Sequence, residues 1–139
     1  MCGLVGIASN SNCIPTLLSG LQALEYRGDD SSGIASSINN RLVHQKSAGK
    51  ISHLVDKLSS EVIKGNTAIA HTRWATHGLP TENNAHPHAT TKVALVHNGI
   101  IENFQELRDS LRSGGRAFNS ETDTEAVVHL ISSYLDNGM

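Results

Sequence analysis

A cysteine stands at the second position of the chain, directly before a short apolar segment. Cys2 follows Met1, and residues 4–9 form an apolar run that is bounded by Gly3 and Asn10. A short apolar run between turn-forming residues is typical of a buried strand. We therefore predict a buried strand that begins immediately after Cys2.

The rest of the chain mixes β-type runs with helical stripes. Further strands are predicted at 33–38 and 41–47, which a turn at Asn39-Asn40 joins, and at 67–71, 93–97 and 117–118. Four helices are predicted, the first of which begins at Pro15, and they end near Gly28, Gly65, Gly114 and Gly138. Residues 78–90 are predicted to form a polar loop with two prolines.

The fourth helix has both a start signal and an apolar stripe. Thr122 and Glu125 have the spacing of a capping box. We predict that the inner side of this helix carries the following residues: Ala126, Val127, Leu130, Ile131, Tyr134 and Leu135. Four of these side chains, Val127, Leu130, Ile131 and Leu135, are large and aliphatic and need a partner surface. We expect part of this apolar face to stay uncovered, which favours self-association.

Strands and helices come in clusters along this chain and do not alternate strictly, which indicates an α+β layered fold. We expect the strands at 4–9, 67–71 and 93–97 to be buried in one sheet, since each of these apolar runs adjoins a polar motif. The length of 139 residues suits one domain with a single core.

Composition excludes several classes of function. The formal net charge is −2 and aromatic residues make up 4%, so neither a nucleic-acid partner nor a membrane surface is expected. No apolar run approaches the length of a membrane span, and the N-terminus lacks the features of a signal peptide. A cytoplasmic location follows as the expectation, with Cys2 and Cys13 as two free thiols.

Cys2 becomes the first residue once Met1 is removed. Its thiol and a free α-amine then belong to one residue, and neither group is locked in one protonation state near neutral pH. The amine can therefore act as general base for its own side chain, which is the N-terminal-nucleophile form of an activated thiol. The alternative is that Cys2 is an incidental residue at a frayed end.

A polar motif directly follows the predicted strand at 67–71. Arg73 offers a planar, permanently charged fork that suits a carboxylate, while Thr76 and His77 add further donors. The alternative is a solvated arginine next to a buried Trp74. Similarly, the cation of Arg27 in the EYRG stretch has a structural explanation, because it stands near the end of a helix.

Two further positions admit both a structural and a functional interpretation. Asn98-Gly99 is a common hairpin signal, but the segment after it is too short for a convincing return strand. A side-chain amide and a bare backbone N–H directed at one point are the donors that an oxyanion hole needs. Asp123 is either a carboxylate at a helix start or a counter-charge for a substrate ammonium group.

Metal binding is not expected. His86-Pro87-His88 resembles half of a metal site, but no carboxylate or cysteine pair at ligand spacing lies nearby in the sequence. We therefore predict neither a metal nor a cofactor.

Together these motifs resemble one family. They read MCG, EYRG, HTRWATHG, NAHPH, VHNGIIEN and SETDTE in chain order, and they span nearly the whole sequence. The chain is similar to the glutaminase domain of the glutamine–fructose-6-phosphate aminotransferases, class II glutamine amidotransferases of the N-terminal-nucleophile hydrolase fold. The resemblance implies an αββα sandwich, of which residues 1–139 form the N-terminal part, incomplete at the C-terminal side and without a sugar-isomerase domain.

The resemblance also implies a role for each candidate residue. It makes Cys2 the nucleophile with its α-amine as base, and Asn98 and Gly99 the oxyanion hole. The remaining assignments concern L-glutamine: Arg73, helped by Thr76 and His77, holds the α-carboxylate, Asp123 holds the α-ammonium, and Trp74 lies on a closing loop. The implied reaction is amide hydrolysis through a thioester, with ammonia passed to a sugar-isomerase portion.

Two departures from the family pattern qualify this expectation. Asp29 stands where family members usually have tyrosine, which puts an additional carboxylate near the rim of the site. The chain is also much shorter than the family's glutaminase domain. The alternatives are therefore a truncated, inactive or partner-dependent piece of such an enzyme, or a different class II amidotransferase.

Overall fold

A four-stranded antiparallel sheet forms the centre of the structure, a computed structural model that describes residues 1–75 and 78–139. Its strands are β1 (Gly3–Ala8), β2 (Ser31–Ile38), β3 (Arg41–Ala48) and β4 (Thr67–Arg73), in the spatial order β1-β4-β2-β3. The other elements of the described residues are α1 (Ile14–Ala23), α2 (Ile51–Ser60), β5 (His88–Ala89), β6 (Ala94–Leu95), α3 (Phe104–Ser113) and α4 (Asp123–Asp136). A 3-10 turn at Glu25–Arg27 follows α1.

One face of the sheet carries the hydrophobic core. Alternate side chains of β4, Ala68 and Ala70, face the same side as Ile34 of β2, and helices α1 and α2 pack against them. Leu17 of α1 and Leu54 of α2 are completely buried there. Burying each of these large aliphatic side chains stabilises the fold by roughly 1.5–3 kcal/mol, so this layer anchors β1 and β4 firmly.

The other face of the sheet is covered by a second layer. Strands β5 and β6 pair antiparallel, and α4 packs against them and against α3. His71 of β4 stacks on His86, just before β5, with ring centroids 4.2 Å apart, which joins the two layers. The order helices, sheet, sheet, helices is therefore an α–β–β–α arrangement, and the predicted α+β class is confirmed.

The hairpin between β2 and β3 forms where the sequence predicts it. Ile38 pairs with Arg41, so the loop consists of Asn39 and Asn40 alone. Both have positive φ, 50° and 61°, as a two-residue turn that matches the twist of the strands requires. Asparagine tolerates this conformation better than other side chains, which explains why the local signal is sufficient here.

Two of the predicted strands differ from the structure. Of 93–97, only Ala94–Leu95 is a strand, and it pairs with β5 in the second sheet and not with β1 and β4. The N–H of His97 instead donates to Nδ1 of His86, which takes the chain out of the ladder. The strand predicted at 117–118 does not form, and Phe118 instead packs against the guanidinium groups of Arg108 and Arg112.

The inner side of α4 is also different from the prediction. The buried face of this helix is largely polar, with Asp123, Thr124, Glu125, His129 and Ser132 beside Ala126 and Val128. The predicted apolar stripe is only partly covered: Val127, Leu130 and Ile131 are half-buried, while Tyr134 and Leu135 are exposed. Four of these polar side chains can face inward because they have hydrogen-bond partners in neighbouring segments, namely Asp123, Thr124, Glu125 and Ser132.

The predicted capping box at the start of α4 is likewise wrong. The carboxylate of Glu125 does not cap Thr122 but accepts hydrogen bonds from the backbone N–H groups of Asn119 and Ser120. The hydroxyl of Thr122 pairs with Nε2 of His88 at 2.7 Å. Thr122 and Glu125 therefore both bind partners outside the expected capping box.

Candidate active site

The register of the central sheet determines the position of Cys2. Gly3 pairs with Thr72 in the antiparallel ladder of β1 and β4, so Cys2 lies next to Arg73 and Trp74. The backbone N–H of Trp74 donates to Sγ of Cys2 at 3.1 Å. The thiol therefore lies at the end of two core strands and not at a frayed terminus.

Arg73 is buried, although it is charged. It lies on the same face of β4 as His71, because alternate strand residues share a face, and it is 3% exposed. Its guanidinium donates to the carbonyl groups of Leu79 and Gly78 at 2.9 and 3.2 Å, and lies 3.8 Å from a carboxylate oxygen of Asp30. The alternative of a solvated arginine beside a buried tryptophan is wrong, since Trp74 is 55% exposed.

Asn98 and Gly99 lie beside Cys2 and do not form a hairpin. Nδ2 of Asn98 donates to the carbonyl oxygen of Cys2 at 3.2 Å, and the next regular element is α3. Gly99 has a φ of +153°, and a Cβ atom there would come within 2.8 Å of Nε2 of His97. A glycine is therefore needed for the chain to pass close to His97 at this point.

Asp123 is the first residue of α4, and its side chain has a partner in the loop before α3. One carboxylate oxygen accepts the N–H of Ile101 at 2.7 Å, and the residue is nearly buried. This bond ties the start of α4 to the loop that carries Asn98. The structural interpretation of Asp123 is thus satisfied in part, while the carboxylate also lines the same pocket as Cys2.

One pocket of about 290 Å³ collects the predicted site residues that the structure describes. Its walls include Cys2, Arg73, Trp74, Asn98, Gly99 and Asp123. Thr76 and His77, which were also predicted to bind the substrate, lie outside the described residues. The volume is just below the range for ligand sites, which is about 300–1,000 Å³, and suits a molecule of amino-acid size.

The sequence analysis missed several lining residues of this pocket as site residues, among them Arg27 and His97. Arg27 donates from Nε to the carbonyl oxygen of Cys2 at 3.0 Å and lines the pocket. His97 also lines it, and its Nδ1 lies 3.2 Å from the hydroxyl of Thr124. The signal for Arg27 was its place in the EYRG stretch, where a helix-end role gave a sufficient local explanation. Asp29, the departure from the family pattern, is exposed and lines a separate pocket with Trp74.

A buried group of histidines, His71, His86 and His88, adjoins the pocket, and His86 is part of its wall. Burial lowers the pKa of His71 to about 4, against the smaller opposing effect of its hydrogen bond to Asn98, and lowers that of His88 to about 2. Burial also lowers the pKa of His86, and the nearby cation of Arg73 adds to the effect for all three. These imidazoles are therefore neutral at pH 7 and act as hydrogen-bonding groups and not as charges.

Three further features bear on the chemistry of the site. Among residues 1–75 and 78–139, no group of three or more His, Cys, Asp or Glu side chains is arranged to hold a metal ion. Cys13 and Cys2 are both free thiols, as expected, and Cys13 is buried in the core. None of the helices in the described part of the chain has the length and apolar character needed to cross a membrane.

Comparison with known proteins gives several close relatives. The glutamine–fructose-6-phosphate aminotransferase (isomerizing) of Brucella abortus is 54% identical over 138 residues, which is 99% of this chain and 23% of the relative. The protein of the same name from Rhizobium meliloti strain 1021 is 52% identical over the full chain and is again covered to 23%. The chain thus spans about a quarter of the length of these curated relatives.

The fold has solved counterparts as well. A glutamine phosphoribosylpyrophosphate amidotransferase from B. subtilis matches 95% of this chain and 29% of its own, with a TM-score of 0.79 and 28% identity. A structure described as the allosteric regulatory enzyme of purine biosynthesis matches with a TM-score of 0.80 and 29% identity. A family model described as "Glutamine amidotransferase domain" matches residues 49–138, more than half of the chain. The resemblance seen in the motifs is thereby confirmed: the chain belongs to the glutamine amidotransferase domain family and has the fold of the N-terminal-nucleophile hydrolases.

Proposed function

We propose that this chain hydrolyses L-glutamine at Cys2 and is the ammonia-producing part of a glutamine–fructose-6-phosphate aminotransferase. The observation that carries the proposal is the pocket in which a thiol, a guanidinium, an amide donor and a carboxylate from distant parts of the chain meet. These are the groups that a site needs to bind an amino acid and to hydrolyse its side-chain amide. The 52–54% identity to aminotransferases of that name supports the choice of reaction.

The chemistry begins with the thiol of Cys2. Once Met1 is removed, the α-amine of Cys2 takes the proton from the thiol, and the sulfur attacks the side-chain amide carbon of glutamine. The carbonyl oxygen becomes an oxyanion, which Nδ2 of Asn98 and the N–H of Gly99 stabilise. The C–N bond then breaks, the α-ammonium of Cys2 returns its proton to the leaving nitrogen, and ammonia leaves. Water hydrolyses the resulting thioester to glutamate and restores the thiol.

The ends of the glutamine molecule need two opposite charges. Arg73 supplies the cation for the α-carboxylate, because a guanidinium can bind a carboxylate through two parallel bonds. Thr76 and His77 are additional donors. Asp123 supplies the anion for the α-ammonium group. Its burial strengthens that attraction. We assign the covering of bound glutamine to Trp74, which is exposed and lines the pocket.

The relatives support one choice of ammonia acceptor. The sequence is more similar to the fructose-6-phosphate aminotransferases than to the phosphoribosylpyrophosphate amidotransferase, 54% against 28% identity. We therefore propose fructose 6-phosphate as the acceptor, bound by a sugar-isomerase portion in the same longer protein or in trans. The proposed reaction needs neither a metal nor a cofactor. The two free thiols favour a reducing compartment such as the cytoplasm.

A glutaminase assay of matched cysteine variants tests the proposal. Cys2→Ala should abolish glutamate release and leave glutamine binding, measured by calorimetry, nearly unchanged, since Arg73 and Asp123 remain. Cys13→Ala is the control, because Cys13 is equally a free thiol but is buried in the core. Equal losses in both variants would refute a nucleophilic Cys2.

The same assay addresses the alternative of a partner-dependent piece. If the chain alone is silent, it should gain activity when a purified sugar-isomerase portion is added. Activity that stays absent in both conditions, with Met1 confirmed as removed, would support an inactive piece and contradict the proposal.

A further inference from the structure

A buried histidine makes a direct contact with the side chain of Asn98. Nε2 of His71 lies 2.8 Å from Oδ1 of Asn98. His71 belongs to β4 and is completely buried, while Asn98 belongs to the loop after β6. The core sheet therefore holds the side chain whose amide faces the nucleophile.

The neighbours of Asn98 determine which atom of each partner is the donor. The carbonyl oxygen of Cys2, 3.2 Å away, can only accept a hydrogen bond, so the group of Asn98 that faces it is the NH₂ group. Oδ1 of Asn98 then faces His71 and can only accept. Nε2 of His71 must therefore carry the hydrogen, which assigns the tautomer of this imidazole.

The ring of His71 is held in place by a second histidine. It stacks on His86 with centroids 4.2 Å apart and an interplanar angle of 15°. Nδ1 of His86 accepts the N–H of His97 at 3.3 Å. The stacked pair thus binds two neighbouring parts of the loop, the backbone of His97 and the side chain of Asn98. Both are attached to buried imidazoles.

We propose, on the basis of the glutamine-hydrolysing function above, that His71 is a positioning residue that keeps the NH₂ group of Asn98 directed at the reaction centre. An asparagine side chain has an oxygen and a nitrogen of similar shape. If the amide turned over, an oxygen would face the developing oxyanion, and attraction would become repulsion. The Nε2–H of His71 prevents that rotation, since it has an attractive contact with the oxygen and none with the NH₂ group.

Nitrogen-15 NMR of the histidine rings tests the contact without any need for activity. At pH 7 the expected spectrum shows His71 as the neutral tautomer with hydrogen on Nε2. His53 is an internal comparison, because its Nδ1 faces the carbonyl oxygen of Ala48 at 3.2 Å and its neutral form should carry hydrogen there. A His71 ring with hydrogen on Nδ1, or a charged ring, would overturn the proposal.

Two variants of His71 then separate positioning from mere packing. His71→Gln keeps an N–H donor on a side chain of similar reach, whereas His71→Leu fills the space without a donor. We expect kcat for glutamine hydrolysis to fall about 10- to 100-fold in His71→Leu, with KM within about twofold, and to be largely retained in His71→Gln. Equal losses in the two variants would show that the role is structural.

A double variant and a spectroscopic readout complete the test. In an Asn98→Ala background, His71→Leu should cause no further loss of kcat, because the group it positions is absent. Losses that multiply would contradict the proposal.

The side-chain NH₂ resonances of Asn98 should move toward those of a free amide in His71→Leu but not in His71→Gln. If the parent chain, with Met1 removed, shows no glutaminase activity either alone or with the sugar-isomerase portion, the proposed function fails, while these resonances still show whether His71 orients Asn98.

Discussion

The backbone N–H of Trp74 donates to Sγ of Cys2 at 3.1 Å, although 71 residues separate the two in the chain. The peptide that carries this N–H packs against Gly28, which has no room for a side chain. A Cβ atom at Gly28 would come within 2.6 Å of the carbonyl oxygen of Arg73 and within 2.7 Å of the nitrogen of Trp74. The N–H group that donates to Sγ of Cys2 therefore depends on a glycine in the segment after α1.

The first prediction concerns this close approach. Gly28→Ala should push the peptide between Arg73 and Trp74 away, weaken its contact with Cys2 and lower glutaminase kcat at least tenfold. Overpacking of this kind also typically costs about 1–3 kcal/mol of stability, which a urea titration measures. Gly6→Ala in β1 is the matched control, since its nearest neighbour would be 3.8 Å away. Similar behaviour of the two variants would contradict the prediction.

The second prediction concerns Met1. This residue lines the pocket, and its Sδ lies 3.6 Å from Nη2 of Arg27. While Met1 is present, the nitrogen of Cys2 is an amide and cannot act as a base, so glutamine hydrolysis should be absent. Treatment with a methionine aminopeptidase, followed by intact mass, should restore it. Equal activity before and after complete removal would show that the α-amine of Cys2 is not the base.

The third prediction is that acid destabilises the fold through its buried histidines. The pKa of His71 is lowered to about 4 and that of His88 to about 2 by burial, whereas in the unfolded chain a histidine titrates near 6.5. The unfolded chain therefore binds more protons below pH 6.5, and stability is lost as the pH falls from 6.5 toward these lowered values. Above pH 7 this contribution is complete and constant.

Urea titrations at pH 7 and pH 5 measure that loss. His88→Gln removes one buried histidine, and its loss of stability between the two pH values should be smaller by at most about 2 kcal/mol. His53→Gln is the control, because His53 is exposed, and its pH dependence should match that of the parent chain. An unchanged pH dependence in His88→Gln would contradict the buried, neutral state of that ring.

The fourth prediction concerns the outer face of α4. Tyr134 is 50% exposed and Leu135 is 38% exposed, next to the half-buried Leu130 and Ile131. A continuous apolar face of this kind favours association. Size-exclusion chromatography with light scattering should show oligomers that increase with concentration, and the pair Tyr134→Lys and Leu135→Lys should reduce them. Val62→Lys, at an exposed apolar position elsewhere, should not. A monodisperse monomer at all concentrations would show that this face is satisfied as it is.

Local signals in the sequence determined much of the fold. The hairpin at Asn39-Asn40, the strand after Cys2 and the end of α3 near Gly114 appear where they were predicted, because each depends on backbone preferences and apolar periodicity within a few residues. The chemistry of a cysteine at position 2 is also local, since its base would be its own α-amine. The motifs likewise indicated which residues belong to one pocket.

The tertiary structure decided what depends on partners from distant segments. Ala94–Leu95 lies in the second sheet and not in the central sheet, where it was predicted. Glu125, which was not predicted on the inner side of its helix, faces inward and binds the backbone of Asn119 and Ser120. The burial of Arg73 and the contact of His71 with Asn98 likewise arise only when strand and loop meet. A short window of sequence determines which conformations a segment prefers, whereas its buried polar groups are satisfied by whichever partners the folded chain brings to them.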